Sequence, residues 1–245
     1  HYPLRRQRQM CIRDSYYHLL YSNRDEKEAR QFIDALLSFL KPNIGSTFID
    51  IACGKGRHSM QLAENGFNTT GVDLSENSIL QAQKAESDLL KFFVHDIRKP
   101  FRGDKYDFAL NLFTSFGYFE TMHEHYKALE NIYNTLNPKG IFVFDYLNSA
   151  SVSCDTGISN EVEFDGVKFT TSKAIVEKHI IKTIQVVDGD SEMTFEEKVM
   201  VFAESDLLEM FEKIGFTILS THGNYQLGGF DSSQPRLIII AQKKK

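Results

Sequence analysis

The run TFIDIACGKGRHS at residues 47–59 constrains this chain more than any other segment. Five strand-forming residues, Thr47–Ile51, carry Asp50 near their end and pass into a turn containing Gly54 and Gly56. A helix then begins near His58. A strand that feeds straight into a glycine turn and a helix must find a parallel neighbour through a crossover, because only antiparallel partners can be reached by a tight hairpin. The unit this implies is βαβ, and the sheet it builds is open and mostly parallel. Ligands of such sheets bind outside the carboxyl ends of the strands, which is where this turn lies.

The flanking sequence keeps the same alternation. Ala29, Phe32, Ile33, Leu36, Leu37 and Leu40 recur at helical spacing over Asp25–Leu40, with Asp25 and Glu28 able to form a capping box and Pro42 ending the helix. The helix from about His58 ends at Gly66, Asn68 to Val72 reads as a strand, and Ser75 opens a helix running to about Leu90. Lys91 to Val94 and Tyr106 to Leu112 read as strands, His123 to Leu136 as a helix and Gly140 to Leu147 as a strand. Glu161 to Phe202 breaks this rhythm with three β-type runs separated by Asp165-Gly166 and Asp188-Gly189-Asp190, both hairpin signals. The stretch 149–203 is read as an antiparallel insertion, because it is too short to supply a domain's own core. Ser205 is placed as the cap of a helix ending at Gly215. Phe216 to Thr221 and Arg236 to Gln242 follow as strands with no helix between them, so the last strand runs antiparallel. The expected fold is α/β, with a seven-stranded, mostly parallel sheet whose last strand is reversed, plus an antiparallel β insertion.

Charge narrows the range of partners. Among 245 residues, 28 Lys and Arg against 33 Asp and Glu leave a formal net charge of −5, which offers no attraction to a phosphate backbone. Residues 1–14, HYPLRRQRQMCIRD, hold four arginines and one acid without periodicity and read as a non-native or disordered arm. Without them the balance is 24 minus 32, or −8, so neither nucleic acid nor an anionic membrane surface is the expected partner. Cys11, Cys53 and Cys154 are an odd, scattered set without metal-ligand spacing, as expected for reduced thiols. No apolar run reaches membrane-span length and no signal peptide is visible, so the expected location is cytoplasmic.

Four segments carry the chemistry. The glycine turn superficially matches a dinucleotide fingerprint, but the third glycine of GxGxxG falls at Ser59. Asp50 also puts a carboxylate where a pyrophosphate would have to lie, whereas a ligand with an ammonium and a sulfonium gains from it. A nicotinamide oxidoreductase is disfavoured on both grounds. Asp73 ends the second strand, where its two oxygens can accept from both hydroxyls of a ribose, and Leu74 follows as an apolar surface for adenine. Asp96 after the third strand can accept from an adenine amino group, with Ile97 packing on the base. Asn111 and Phe113 close the fourth strand, with Leu112 between them.

With these motifs the sequence resembles the class I S-adenosylmethionine-dependent methyltransferases, which have a Rossmann-like fold, and among them bacterial enzymes with a DxACGxGRH turn. The likeness covers residues 15–148 well and the final helix and strands more loosely. It implies that Asp50, Ala52, Gly54 and Gly56 line the methionine part of S-adenosylmethionine, with Cys53 and Leu112 in the same turns. Asp73 and Leu74 would hold the ribose and adenine, and Asp96 with Ile97 the adenine amino group and ring. Asn111 would meet the methionine amino group beside Phe113. Ala52 stands where the family more often has glycine. The segment SYYHLLYSNRDEKEA is similar to the N-terminal lid of small-molecule methyltransferases, including antibiotic-sugar N-methyltransferases. On that basis 15–45 forms a helical lid in which Tyr17 or Tyr21 covers the cofactor. The insertion would form a layer over the site or a homodimer interface.

No catalytic residue is legible. His58 most simply starts a helix, His95 is more often structural, and His123 and His125 occupy an ordinary polar helix. Cys53 reads as a small buried residue rather than a nucleophile, and Tyr118, Tyr146 and Tyr225 suit a substrate pocket or a core equally. An in-line displacement at a sulfonium methyl explains this silence, since alignment and exclusion of water do most of the work. The expected activity is methyl transfer to a small-molecule acceptor, with S-adenosylhomocysteine as product. The alternatives are a protein or RNA acceptor, favoured by a basic rim, and a cofactor-binding module without turnover.

Overall fold

The structure, a computed structural model, describes Tyr16, Leu20 and residues 26–101, 103, 105–152 and 159–244. The chain divides into two compact units, one of Glu26–Ser151 with Phe202–Lys245, the other of Val152–Val201 with the N-terminal segment.

The larger unit contains α1 (Glu26–Leu40), β1 (Thr47–Ile51), α2 (Arg57–Glu64), β2 (Asn68–Asp73), α3 (Glu76–Ala82), β3 (Leu90–Val94), β4 (Tyr106–Asn111), α4 (Met122–Thr135) and β5 (Leu136–Leu147). The short α5 (Ser149–Val152) follows. After the insertion come α6 (Glu204–Ile214), β10 (Phe216–His222) and β11 (Arg236–Lys243). Their seven strands form one sheet in the order β10-β11-β5-β4-β1-β2-β3. β1 pairs in parallel with β2 and β4, β2 with β3, and β4 with β5. β11 is antiparallel to both its neighbours, β5 and β10. The reversed last strand expected from the missing crossover is therefore present, one position in from the sheet edge.

Burial on both faces explains why β1, β4, the second half of β5 and β11 read as largely apolar runs. Phe32, Ile33 and Leu36 of α1 pack with Leu62 of α2 against Phe48, Phe108, Leu110, Val143 and Ile238 of the sheet. Elsewhere in the sheet Phe142 stacks on Phe211 of α6 at 5.4 Å, and Phe144 meets Phe116 edge-on at 5.3 Å. A third cluster joins Ile79, Ala82, Leu90 and Phe92 to Cys53. Phe92 is wholly buried there, and burying a ring of that size contributes about 2–3 kcal/mol. A methyl at Gly56 or at Gly71 would come within 2.4 Å of its ring, so both glycines are set by the close passage of Phe92.

Several expected boundaries shift for local reasons. The helix capped by Ser75, whose hydroxyl accepts from the Ser78 N–H, stops at Ala82 and tightens into a 3-10 turn over Gln83–Ala85 rather than reaching Leu90. Ser87 and Glu86 divert the chain there, the first bridging to Leu90 and the second accepting from the Phe92 N–H at 2.8 Å. Ser205 lies inside α6, whose N-cap is Ala203, and Asp206 reaches back to the Ala203 N–H at 3.1 Å. β5 starts at Leu136, four residues earlier than expected, and absorbs an irregularity in its pairing with β4. At α4 the capping box is complete: Thr121 accepts from the Glu124 N–H, and the Glu124 carboxylate accepts from the Thr121 N–H.

The smaller unit is a four-stranded antiparallel sheet of β6 (Asn160–Phe164), β7 (Val167–Val176), β8 (His179–Asp188) and β9 (Ser191–Met200), in that order. It holds four strands where three β runs were read. The extra hairpin turns at Glu177-Lys178, with Val176 paired to His179 and Glu177 at a φ of 54°. One face buries Val167, Phe169, Ile184 and Val186, joined by Phe164, Phe195, Leu20 and Tyr16. The Tyr16 hydroxyl donates to Asp188 at 2.9 Å. No described helix is long and apolar enough to cross a membrane.

Candidate active site

The carboxyl ends of β1, β2 and β4 are neighbours in the sheet, and three of the four predicted motifs end there, while the fourth, with Asp96, follows β3 at the sheet edge. β1 delivers Asp50 wholly buried, with the Ser59 hydroxyl donating to it at 2.6 Å. Burial pushes its carboxyl up to about 7, the neighbouring charge of Asp73 adding to the effect and Ser59 and Arg57 opposing it. The chain leaves β1 through Ala52 at a φ of 59°, a left-handed conformation that a residue with a Cβ adopts only at a cost. Gly54 follows at a φ of 58°, and a Cβ there would meet nothing within 4 Å. The turn at Gly54 therefore borders open space, as a ligand that touches backbone requires.

Asp73 is oriented from two sides. The Gly54 N–H donates to one carboxylate oxygen at 2.9 Å and the Ser75 N–H to the other at 2.8 Å. Leu74, next in sequence, is 50% exposed and so offers an apolar surface beside Asp73. Asp96 stands differently. Arg98 grips both its oxygens, at 3.0 and 2.8 Å, and also reaches Glu124 at 2.8 Å. That pairing holds the Asp96 carboxyl below its ordinary range. Ile97 is buried, and its carbonyl accepts from the Asn131 amide at 3.0 Å.

Asn111 ends β4 fully buried, its amide nitrogen donating to the Ile51 carbonyl at 3.0 Å while its carbonyl oxygen has no partner. Leu112 is buried in the main core, and Phe113 and Thr114 turn the chain at φ values of 58° and 56°. The Phe113 ring stacks on His58 at 5.1 Å and on Tyr225 at 5.0 Å, with the Arg57 guanidinium 4.2 Å from its centroid. Burial and the Arg57 charge drive the His58 imidazole down to about 3, which removes it as a proton carrier near neutrality. Cys53 is buried, and burial with the charges of Asp50 and Asp73 pushes its thiol far up, so it cannot supply a thiolate. Tyr146 is wholly buried, Tyr118 is 45% exposed, and His125 is enclosed by Phe116, Phe119 and Phe202. Tyr17 and Tyr21 lie outside the described residues.

Two charged residues escaped the sequence reading, Asp145 of β5 and Arg236 of β11. Asp145 is completely buried and accepts from Arg236 at 2.7 Å, from the Phe113 N–H at 2.7 Å and from the Tyr225 hydroxyl at 3.3 Å. An acid inside the apolar run IFVFDYL is a usable sequence signal, because a buried charge demands a partner. Its partner, 91 residues further on, carries no signal of its own.

A sheet of this topology with a glycine turn and acids at its carboxyl edge is the Rossmann-like arrangement of methyltransferases, and the chain belongs to the methyltransferase-domain family, whose profile matches residues 21–221. It is a transferase of methyl groups. It is 27% identical over 207 residues to the putative methyltransferase YqeM of Bacillus subtilis (strain 168), covering 80% of this chain and 84% of that one. It is 29% identical over 130 residues to a dTDP-3-amino-3,4,6-trideoxy-alpha-D-glucopyranose N,N-dimethyltransferase of Streptomyces venezuelae, covering 53% and 54% of the two. Among solved structures it resembles an S-adenosylmethionine-dependent methyltransferase from Clostridium acetobutylicum ATCC 824 with a TM-score of 0.80, at 19% identity, over 98% and 99% of the chains.

Proposed function

We propose that this enzyme methylates a small-molecule acceptor at the carboxyl ends of β1, β2 and β4, with S-adenosylmethionine as donor. The observation that carries the reading is the pairing of the Gly54 amide with the half-buried Asp73 carboxylate, 2.9 Å apart, beside the buried carboxylate of Asp50. In a phosphate-binding turn such amides face an anion. Here the anion is the protein's own, and the ligand that suits the site is a phosphate-free adenosine bearing positive charge. The open space at Gly54 and the unpartnered carbonyl oxygen of buried Asn111 fit the same ligand.

When bound, S-adenosylmethionine supplies a methyl group on a sulfonium, a leaving centre that needs little further activation. Asp73, aimed by the Gly54 and Ser75 amides, would accept from the ribose hydroxyls, and exposed Leu74 would lie under adenine. Asp96, already held by Arg98, has acceptor capacity left for the adenine amino group. Asp50, Ala52 and Gly54 would border the methionine portion, and Asn111 would offer its carbonyl oxygen to the ammonium. The residues thus bind, orient and exclude water, and leave the acceptor's own nucleophilicity to do the rest.

The acid balance of the chain supports a small acceptor over a polyanion, and the amino-sugar methyltransferase among its relatives supports an amine. Calorimetric titration with S-adenosylhomocysteine tests the reading: binding in the micromolar range is expected, with about hundredfold loss in Asp73→Ala, the equivalent of two ribose hydrogen bonds. Absence of binding to folded wild-type protein refutes it. A metabolite-library screen that reads demethylated cofactor then identifies the acceptor.

A further inference from the structure

We infer that Asp145 and Arg236 are positioning residues, a buried clamp that holds the Phe113–Thr114 turn in the shape the methyl-transfer site requires. This rests on the site assignment above. Phe113 and Thr114 are consecutive non-glycine residues in left-handed conformation, and one of them is β-branched. Such a pair persists only where its surroundings over-determine it.

The surroundings here are specific. The Phe113 N–H donates to the Asp145 carboxylate at 2.7 Å, and the Thr114 N–H donates to the Asp145 main-chain carbonyl at 3.1 Å. Arg236 binds the same carboxylate and donates to the Thr114 hydroxyl at 2.9 Å. The Tyr225 hydroxyl donates to Asp145 and its ring stacks on Phe113. One carboxylate thus ties β5, the start of β11 and the loop before it to a single turn.

A buried ion pair is weak evidence for stability, since well-packed apolar side chains often serve as well. What apolar side chains cannot supply is a directional acceptor for the Phe113 amide and a donor for the Thr114 hydroxyl. The turn directly follows Asn111 and Leu112. Its Phe113 ring lies against Arg57 and His58, the first residues of α2. A rotation at Phe113 therefore moves a wall shared by the ends of β1 and β4.

The test uses the whole chain with the Asp145→Asn variant and the Asp145→Leu/Arg236→Met double variant, which removes the acceptor for the Phe113 amide and leaves neither charge unpaired should the single variant fold poorly. Amide hydrogen exchange on the free proteins should show residues 113–116 losing protection while central β5 amides keep theirs. Affinity for S-adenosylhomocysteine should fall about tenfold, since the released turn must be re-strained on binding. Adding Thr114→Gly, which adopts positive φ without a clamp, should return the affinity to within about threefold of wild type. A role in stability alone would leave the glycine without effect. If wild type binds the probe and the folded variants bind equally well, or exchange at 113–116 is unchanged, the clamp is refuted with the site reading intact. If wild type does not bind at all, the site reading falls, and the exchange data alone decide whether the clamp exists.

Discussion

Protonation of Asp50 should be coupled to cofactor binding. The carboxyl is wholly buried with the Ser59 hydroxyl donating to it, and burial lifts it from 3.8 to about 7. At about 1.4 kcal/mol per unit, the ionised form carries an electrostatic cost of about 4 kcal/mol in the free protein. Because the folded-state value is raised, the native state keeps a proton that the unfolded chain gives up between pH ~4 and ~7. Stability therefore falls as pH rises through that window and is lowest above it. A ligand bringing an ammonium close to Asp50 offsets the cost and favours the carboxylate, so binding should expel the proton. Wild type should release about one proton at pH 6 and about half at pH 7, and below pH 6 affinity should weaken about tenfold per unit. Calorimetric titration with S-adenosylhomocysteine in buffers of different ionisation enthalpy counts the protons directly. Asp50→Asn serves as the baseline, since the ligand's own amino group titrates near ~7.8 and contributes equally to both proteins. Equal proton counts in wild type and Asp50→Asn at pH 6 would show that Asp50 does not face the cation.

Two further outcomes follow from the glycine turn and from β2 beside it. Ala52→Gly should stabilise the protein by about 1 kcal/mol by relieving a left-handed alanine, raising the melting temperature by about 2–4 °C in calorimetry. Gly71→Ala should destabilise by about 1–3 kcal/mol or more by driving a methyl into Phe92, and Phe92→Leu should cost less in that background than in wild type. Denaturant midpoints of the four proteins test this coupling, and simple additivity would contradict it.

The sheet was legible because its central strands and β11, buried on both faces, are written as largely apolar runs such as LIIIA, and because the missing crossover before β11 dictates its direction. At the candidate site the sequence places Gly54 in a turn and Asp50 and Asp73 at the carboxyl ends of two strands, and the structure has Gly54 at positive φ and the two acids at the ends of β1 and β2. The parts that escaped depend on tertiary context. The Glu177-Lys178 hairpin uses neither glycine nor asparagine, so its turn is set by the register of β7 and β8 rather than by its own residues. α3 ends early because Glu86 and Ser87 bond to the coming strand instead of continuing the helix. Asp145 and Arg236 become a pair only once β11 lies beside β5.

The placement of β11 has a consequence for how the chain is made. Among the described residues β10 has no sheet neighbour except β11, and β5 has only β4 on its other side. Until Arg236–Lys243 has been synthesised and has slotted between them, β10 has no strand to pair with and β5 exposes a long apolar margin. Folding of this unit therefore cannot finish by N-to-C accretion, and deletions reaching into these eight residues should leave a sticky, half-built sheet.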